Sequence, residues 1–368
     1  MGVGLASSLE RLVVSLDNPS VPGGSKAAQL QLVAKFPPTD PEARRVSVPC
    51  QPLCCLTHQP GAQALATAER LGSFRREVGF YTALSQSSLP SSLPAAPCVF
   101  AASQGGTSCL VFQCLVGQGY TPGDQVQGAP LPLAMRVCTD LGDQHAAFWR
   151  HPQLQGQWAS WLPSLGSDAF LGFDATSFSH SWPLFKARFP GPVASLPPAL
   201  TDALDGGAFL GGARRLLADL GEAPLTLLHG DLRLDNVMHR PGLPGSSLPV
   251  EAAYIDLGDC AAGRGAFDVA YFLSMSVDTT LRRAAEDQVL GAYLDRLHSH
   301  AGADTRDYTG DHLRRDYEAA TAYALCLAVN LGGMPHLDNA PERKRRLAAV
   351  MAARACAAVT DVRAERLF

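Results

Sequence analysis

Apolar and polar residues keep two different rhythms along this chain, and the change between them divides it into two parts. Leu12, Val14 and Leu16 alternate with smaller or polar residues. Asp17-Asn18-Pro19 and Pro22-Gly23-Gly24 then interrupt, and Leu30-Gln31-Leu32-Val33-Ala34-Lys35-Phe36 resumes, which predicts two strands joined by a loop. From Ala64 to Leu84 the apolar positions Leu71, Phe74, Val78 and Tyr81 fall three or four apart, the spacing of one face of a helix. Cys98 to Ala102 and Ser108 to Leu115 read as two further strands around Gln104-Gly105-Gly106. The predicted order is strand, strand, helix, strand, strand.

Val116 to Pro132 is rich in Gly, Pro and Gln, which predicts a hinge. Beyond it the rhythm is mostly helical: Leu133 to Trp149, a stretch around Asp202 to Leu220, Phe267 to Ser276, Thr280 to Ser299, Tyr308 to Leu331 and Pro341 to Arg366. Two short apolar runs interrupt it, Leu225 to Leu228 and Ala252 to Ile255, and each ends in a compact polar cluster. Polar groups delivered from the ends of buried strands sit on a rigid base, which suits catalysis. Ala319 to Leu337 is uncharged but broken by Asn330, Gly332, Gly333 and Pro335, so it reads as a core helix and its turn rather than a membrane span.

The chain has 368 residues, enough for two domains or one enzyme of two lobes. Its net charge of −4, without a basic stripe, argues against a nucleic-acid partner. The ten cysteines scatter without paired spacing and read as reduced. Cys50, Cys54, Cys55 and His58 have the residue types of a zinc site but lack a second C-x-x-C half. No basic region followed by an apolar stretch opens the chain, so a cytoplasmic, reducing setting is expected.

The chemistry concentrates in the two polar clusters. One is His229-Gly230-Asp231-Leu232-Arg233-Leu234-Asp235-Asn236; the other, Tyr254-Ile255-Asp256-Leu257-Gly258-Asp259, brings Asp256 twenty residues after Asn236. Phosphoryl transfer from a nucleotide needs a carboxylate to orient the acceptor hydroxyl and take its proton, and further oxygen ligands to hold Mg²⁺ against the phosphates. An Asp five residues before an Asn, with a second Asp on the next strand, supplies all three.

His229 to Asn236 and Asp256 resemble the catalytic and metal-binding loops of the aminoglycoside phosphotransferase and choline kinase superfamily. The chain is most similar to its choline-kinase-like branch, which contains the ecdysteroid-kinase-like small-molecule kinases. Leu141 to Trp149 resembles that branch's Leu-x-x-x-His-Ala-x-Phe-Trp helix, and Asp268-Val269-Ala270-Tyr271-Phe272-Leu273 resembles its Asp-Leu-Ala-Tyr-Phe-Leu helix start. The resemblance implies an α+β, bilobal protein-kinase-like fold. A small antiparallel-sheet lobe would span residues 1–115, a hinge 116–132, and a mainly helical lobe 133–368. It also implies ATP and Mg²⁺, with a small-molecule hydroxyl as acceptor. Carried over position by position, Asp231 is the expected base and Asn236 and Asp256 the metal ligands. Lys35 is the lysine that contacts nucleotide phosphates, and Glu77 the helix glutamate that pairs with it. Gly2-Val3-Gly4-Leu5-Ala6-Ser7-Ser8 resembles the second half of the glycine-rich nucleotide loop, which makes Gly2 and Gly4 candidate nucleotide contacts and the strand before them an expected omission.

The remaining polar residues have quieter readings. His229 and His145 are expected to be structural, Asp268 to cap or tether, and Asp259 either to face the metal or to continue its turn. Arg233 faces either the transferred phosphoryl group or an acidic neighbour. All four tryptophans, Trp149, Trp158, Trp161 and Trp182, fall among Phe170, Phe173, Phe178, Phe185 and Phe189, a region that would pack a core or line an acceptor site. A protein kinase would need an activation segment closed by Ala-Pro-Glu, yet only Leu257 to Phe267 separates Asp256 from Asp268. The string Ala340-Pro341-Glu342 begins 84 residues after Asp256 and is read as coincidence. The competing reading is a kinase-like binding or scaffold protein that transfers nothing.

Overall fold

The structure, a computed structural model, describes residues 8–16, 28–36, 72–86, 93–104, 107–167, 175–242, 249–300 and 304–367. Gly2, Gly4 and the Cys50, Cys54, Cys55 and His58 group lie outside the described residues.

The expected α+β class is present. Strands β1 (Ser8–Leu16) and β2 (Ala28–Phe36) pair antiparallel, with Leu12 opposite Leu32. Strands β3 (Cys98–Gln104) and β4 (Thr107–Gln113) form a hairpin, and β4 joins β2 with Leu110 opposite Lys35. The resulting sheet runs β1-β2-β4-β3 and is antiparallel throughout. Alternation along β2 buries Leu32 and Ala34. Helix α1 (Ser73–Gln86) packs on β3 and β4 and buries Arg76, Glu77, Val78, Phe80 and Tyr81. Of the helix expected over Ala64 to Leu84, the part before Gly72 lies outside the described residues. Gly79 holds α1 against the second part of the chain, because a β-carbon there would lie 2.4 Å from the Trp161 ring.

The predicted strand to Leu115 stops at Gln113, and the chain turns through Val116–Gln118. A short strand β5 (Thr121–Pro122) leads to helix α2 (Leu131–Ala147), which opens on two prolines, Pro130 and Pro132, where no backbone donor is needed. Helix α3 (Ala175–Arg188) was not expected, since Pro183 inside it and a crowd of aromatic residues obscure the period. Short helices α4 (Pro190–Ala194) and α5 (Pro198–Asp205) follow, then α6 (Ala208–Leu220). The single stretch predicted around Asp202 to Leu220 is therefore two helices, broken at Gly207, whose φ of 78° suits glycine.

Strand β6 (Thr226–Leu228) pairs with β9 (Ala261–Gly263), and β7 (Val237–Pro241) pairs with β8 (Val250–Tyr254) and β5. Strands β7 and β9 are too short to show a period and were missed. Helix α7 (Ala266–Ser276) is buried over its whole length, and α8 (Thr279–Ser299), α9 (Gly310–Gly332) and α10 (Glu342–Asp361) surround it. Helix α9 confirms the core reading of Ala319 to Leu337. Among the described residues no helix is long and apolar enough to cross a membrane, and the seven described cysteines are free. Trp149, Trp158, Trp182, Phe178 and Phe185 are core residues; Phe170 and Phe173 lie outside the described residues.

Candidate active site

The loop after β6 is anchored through its backbone. Asp268, buried near the start of α7, accepts from the His229 N–H at 2.7 Å and the Gly230 N–H at 3.0 Å. The His145 ring bridges Asp268, 3.4 Å from Nε2, and the Tyr293 hydroxyl, 3.0 Å from Nδ1. With Nε2–H donating to the carboxylate, Nδ1 accepts from the phenol. His229 in turn donates from Nε2 to the Ile255 carbonyl at 3.2 Å, tying this loop to the one that carries Asp256. Gly230 has φ 83°, and a β-carbon on it would lie 1.8 Å from the Asp259 carbonyl oxygen. The two loops thus touch where only glycine fits.

Asp231 is fixed by two donors. The Tyr271 hydroxyl donates to Oδ1 at 2.7 Å, and the Asn236 Nδ2 donates to Oδ2 at 3.2 Å and to the Asp231 carbonyl at 2.8 Å. Burial, and next the Asp231 charge, hold the Tyr271 phenol well above its ordinary pKa, so it remains a donor. Tyr271 and Asp268 stand three residues apart on one face of α7, so a single helix sets both the loop backbone and the aspartate side chain. On the other side, Gln125 accepts from the Leu234 N–H at 2.7 Å and donates to the Met275 carbonyl at 2.7 Å. Neither Tyr271 nor Gln125 was singled out from the sequence. Only the spacing from Asp268 hinted at the first, and nothing at the second.

Asp256 follows β8 with φ 64° and ψ 60°, a left-handed conformation that aspartate tolerates better than most residues. Its Oδ1 lies 2.8 Å from the Lys35 Nζ, and Glu77 Oε2 lies 2.6 Å from the same nitrogen. Burial opposes the Lys35 charge, but Asp256 and then Glu77 outweigh it and hold the ammonium above its ordinary pKa. Burial also opposes the Asp256 charge, and Lys35 overcomes it to keep that carboxyl below its ordinary value. For Glu77 burial prevails over Lys35, and its carboxyl is raised. Asp259 accepts from the Ser73 hydroxyl at 3.2 Å; burial and then the Asp231 charge raise its pKa.

The structure therefore brings Lys35, Glu77, Asp256, Asn236 and Asp231 into one connected region, from one strand, a helix and two loops. Among the described residues no three His, Cys, Asp or Glu side chains converge as a metal cage. The oxygens of Asn236 and Asp256 nonetheless fit Mg²⁺, a hard ion that takes few protein ligands and keeps several waters. Asn236 commits its Nδ2 to Asp231, and no described residue donates to its Oδ1.

Residues 206–303 match the sequence profile described as the ecdysteroid kinase-like family. This segment is similar to that family. It carries both polar clusters and α7, in agreement with the family resemblance of the motifs. No curated protein matches the chain in sequence. Similar solved structures include Plasmodium vivax ethanolamine kinase, at 10% identity and TM-score 0.48 over 97% of this chain and 83% of that one. The GDP complex of aminoglycoside 2′-phosphotransferase-IIIa is 14% identical, with TM-score 0.44 over 95% and 93%. An amicoumacin kinase in complex with AMP-PNP, Ca²⁺ and Ami is 12% identical, with TM-score 0.43 over 94% and 87%. Lys35 and Glu77 lie outside the ecdysteroid kinase-like segment, and the fold alone carries them to it.

Proposed function

We propose that this protein transfers a phosphoryl group from ATP to a hydroxyl of a small molecule. The observation that carries the reading is Lys35, whose ammonium meets Glu77 at 2.6 Å and Asp256 at 2.8 Å although 221 residues separate Lys35 from Asp256. A buried lysine held between a helix carboxylate and a loop carboxylate is a preorganised phosphate donor set, positioned before any ligand arrives. In this reading residues 1–115 cradle the nucleotide, 116–132 act as the hinge, and 133–368 supply the base and the acceptor site. Asn236 and Asp256 would hold Mg²⁺ through their side-chain oxygens; when bound, the ion offsets charge on the phosphates. Lys35 exchanges part of its pairing with Asp256 for phosphate oxygens and keeps Glu77 as its anchor. Asp231, oriented by Tyr271 and Asn236, aligns the acceptor hydroxyl and takes its proton.

A thermal-shift titration with MgATP, run beside Asp256→Ala, tests this. A ligand bound only by the native state stabilises it by RT ln(1 + [L]/Kd), about 2.7 kcal/mol at a hundredfold excess over Kd. The wild type is expected to shift with metal and nucleotide together, and the variant to lose the shift. A folded wild type that shows none over an adequate range refutes the reading.

A further inference from the structure

Trp161 is only half-buried, whereas Trp149, Trp158 and Trp182 are core residues. Its indole is pressed on the backbone of α1: a β-carbon on Gly79 would lie 2.4 Å from Trp161 Cδ2 and 2.7 Å from Cγ and Cε3, closer than a methyl group can come. Two residues apart on a helix, Gly79 and Glu77 point to nearly opposite sides. The ring therefore stands behind the glutamate that meets Lys35 at 2.6 Å. It is itself held from two directions. Its centroid is 6.1 Å from that of Trp158, which stacks on His151 at 5.1 Å and 18°. The backbone just beyond it pairs with β9, through the Leu165 N–H to the Ala262 carbonyl at 2.8 Å and the Ala262 N–H to the Pro163 carbonyl at 2.9 Å. Strand β9 continues from the Asp256 loop, whose Asp259 accepts from Ser73 at the start of α1 at 3.2 Å. The first turn of α1 and its middle thus rest on two stretches of chain that β9 fastens together.

We infer that Trp161 is a positioning residue, which backs α1 so that Glu77 keeps Lys35 aimed at the nucleotide phosphates. The inference rests on the reading of Lys35 as the phosphate-contacting lysine. Packed helices slide by about 1–2 Å between alternative arrangements. With a smaller residue at position 161 the space behind Gly79 opens, and a slide of that size toward it separates the Glu77 carboxylate from the ammonium. Lys35 then keeps only Asp256, the group from which the phosphates must draw it, and its charge stays spent on the protein. The loss falls on the phosphates and spares the nucleoside, because the lysine serves only the former. Trp161 itself touches no ligand.

The test measures, on the full chain, Kd for MgATP and for adenosine, which lacks the phosphates. Wild type is expected to bind MgATP more tightly. Trp161→Ala should keep adenosine affinity within about twofold and lose about tenfold of the MgATP preference, the worth of one charged hydrogen bond. Trp161→Phe, which restores a flat ring, should lose little. On a Glu77→Gln background, already short of that preference, Trp161→Ala should add less than about twofold, because the tryptophan acts through the glutamate. An unchanged preference in Trp161→Ala, an equal weakening of both ligands, or a full loss added on the Glu77→Gln background overturns the assignment, while the wild-type preference leaves the nucleotide site standing. A folded wild type that binds adenosine as tightly as MgATP refutes the reading of Lys35, and one that binds neither refutes the site; the assignment falls with either. If Trp161→Ala does not fold, Trp161→Leu decides, and an undiminished preference there overturns the role.

Discussion

Lys35 and its two carboxylates form the tightest buried charge cluster in the region, and truncating the cation exposes what it compensates. Lys35→Met would leave Glu77, with 2% side-chain exposure, beside Asp256 with no cation between them. Breaking a buried pair from one side costs about 3–5 kcal/mol. Urea unfolding at neutral pH should therefore show a large loss, partly restored in Lys35→Met/Glu77→Gln. A loss below about 1 kcal/mol would mean that water already solvates the cluster. Asp231→Ala belongs to the other class of residue. It should leave the MgATP thermal shift intact while lowering phosphate transfer about 10²–10⁴-fold, the range for a lost general base, measured as phosphate released or acceptor labelled. Unchanged turnover would remove Asp231 from the mechanism. These residues were legible because their chemistry needs fixed residue types at fixed spacings. The Tyr271 hydroxyl was not, because a tyrosine on an all-buried helix reads as core until the helix is docked.

At the scale of elements, the site depends on how closely two loops pass. Gly230→Ala would put a methyl group 1.8 Å from the Asp259 carbonyl oxygen at φ 83°, so the Asp256 loop must move. The predicted result is a folded protein of lower thermal stability whose MgATP shift is reduced or absent. Full retention of both would mean that the loops are not in contact in solution. The elements themselves were unevenly legible. The strands β2 and β4 and the helices α2, α7, α8 and α9 follow from alternation or a three-to-four period that burial reinforces. Helix α3 was hidden by Pro183, and the short β7 and β9 have too few residues to establish any rhythm. Strand β9 pairs with β6, and β7 takes β5 as well as its neighbour β8; the distant partners are not contained in a local pattern.

Across the whole molecule, the groups that join the helices to the site also set how its stability answers to pH. Asp140, on α2 and 4% exposed, accepts from Arg136 Nε at 2.8 Å and from the Tyr254 hydroxyl at 2.9 Å, at the end of the strand that delivers Asp256. Burial outweighs both partners and pushes its pKa up from 3.8 to about 6. The folded state thus favours the protonated form. That contribution is complete below about pH 3.8 and is lost as pH rises through about 6. Between pH 5 and pH 8 the group alone should cost wild type on the order of 1–2 kcal/mol of stability. Asp140→Asn carries no charge to bury, so its stability relative to wild type should improve by that amount over the same interval, whatever the other groups contribute to each curve. Urea unfolding of the two proteins at pH 5, 6, 7 and 8 gives the difference directly. A gap that stays constant with pH would show that Arg136 and Tyr254 stabilise the charged carboxylate as well as water does. A gap that grows would show that the junction between α2 and β8 keeps an ionised carboxylate at a cost, against the tyrosine that stands two residues before the candidate metal ligand Asp256.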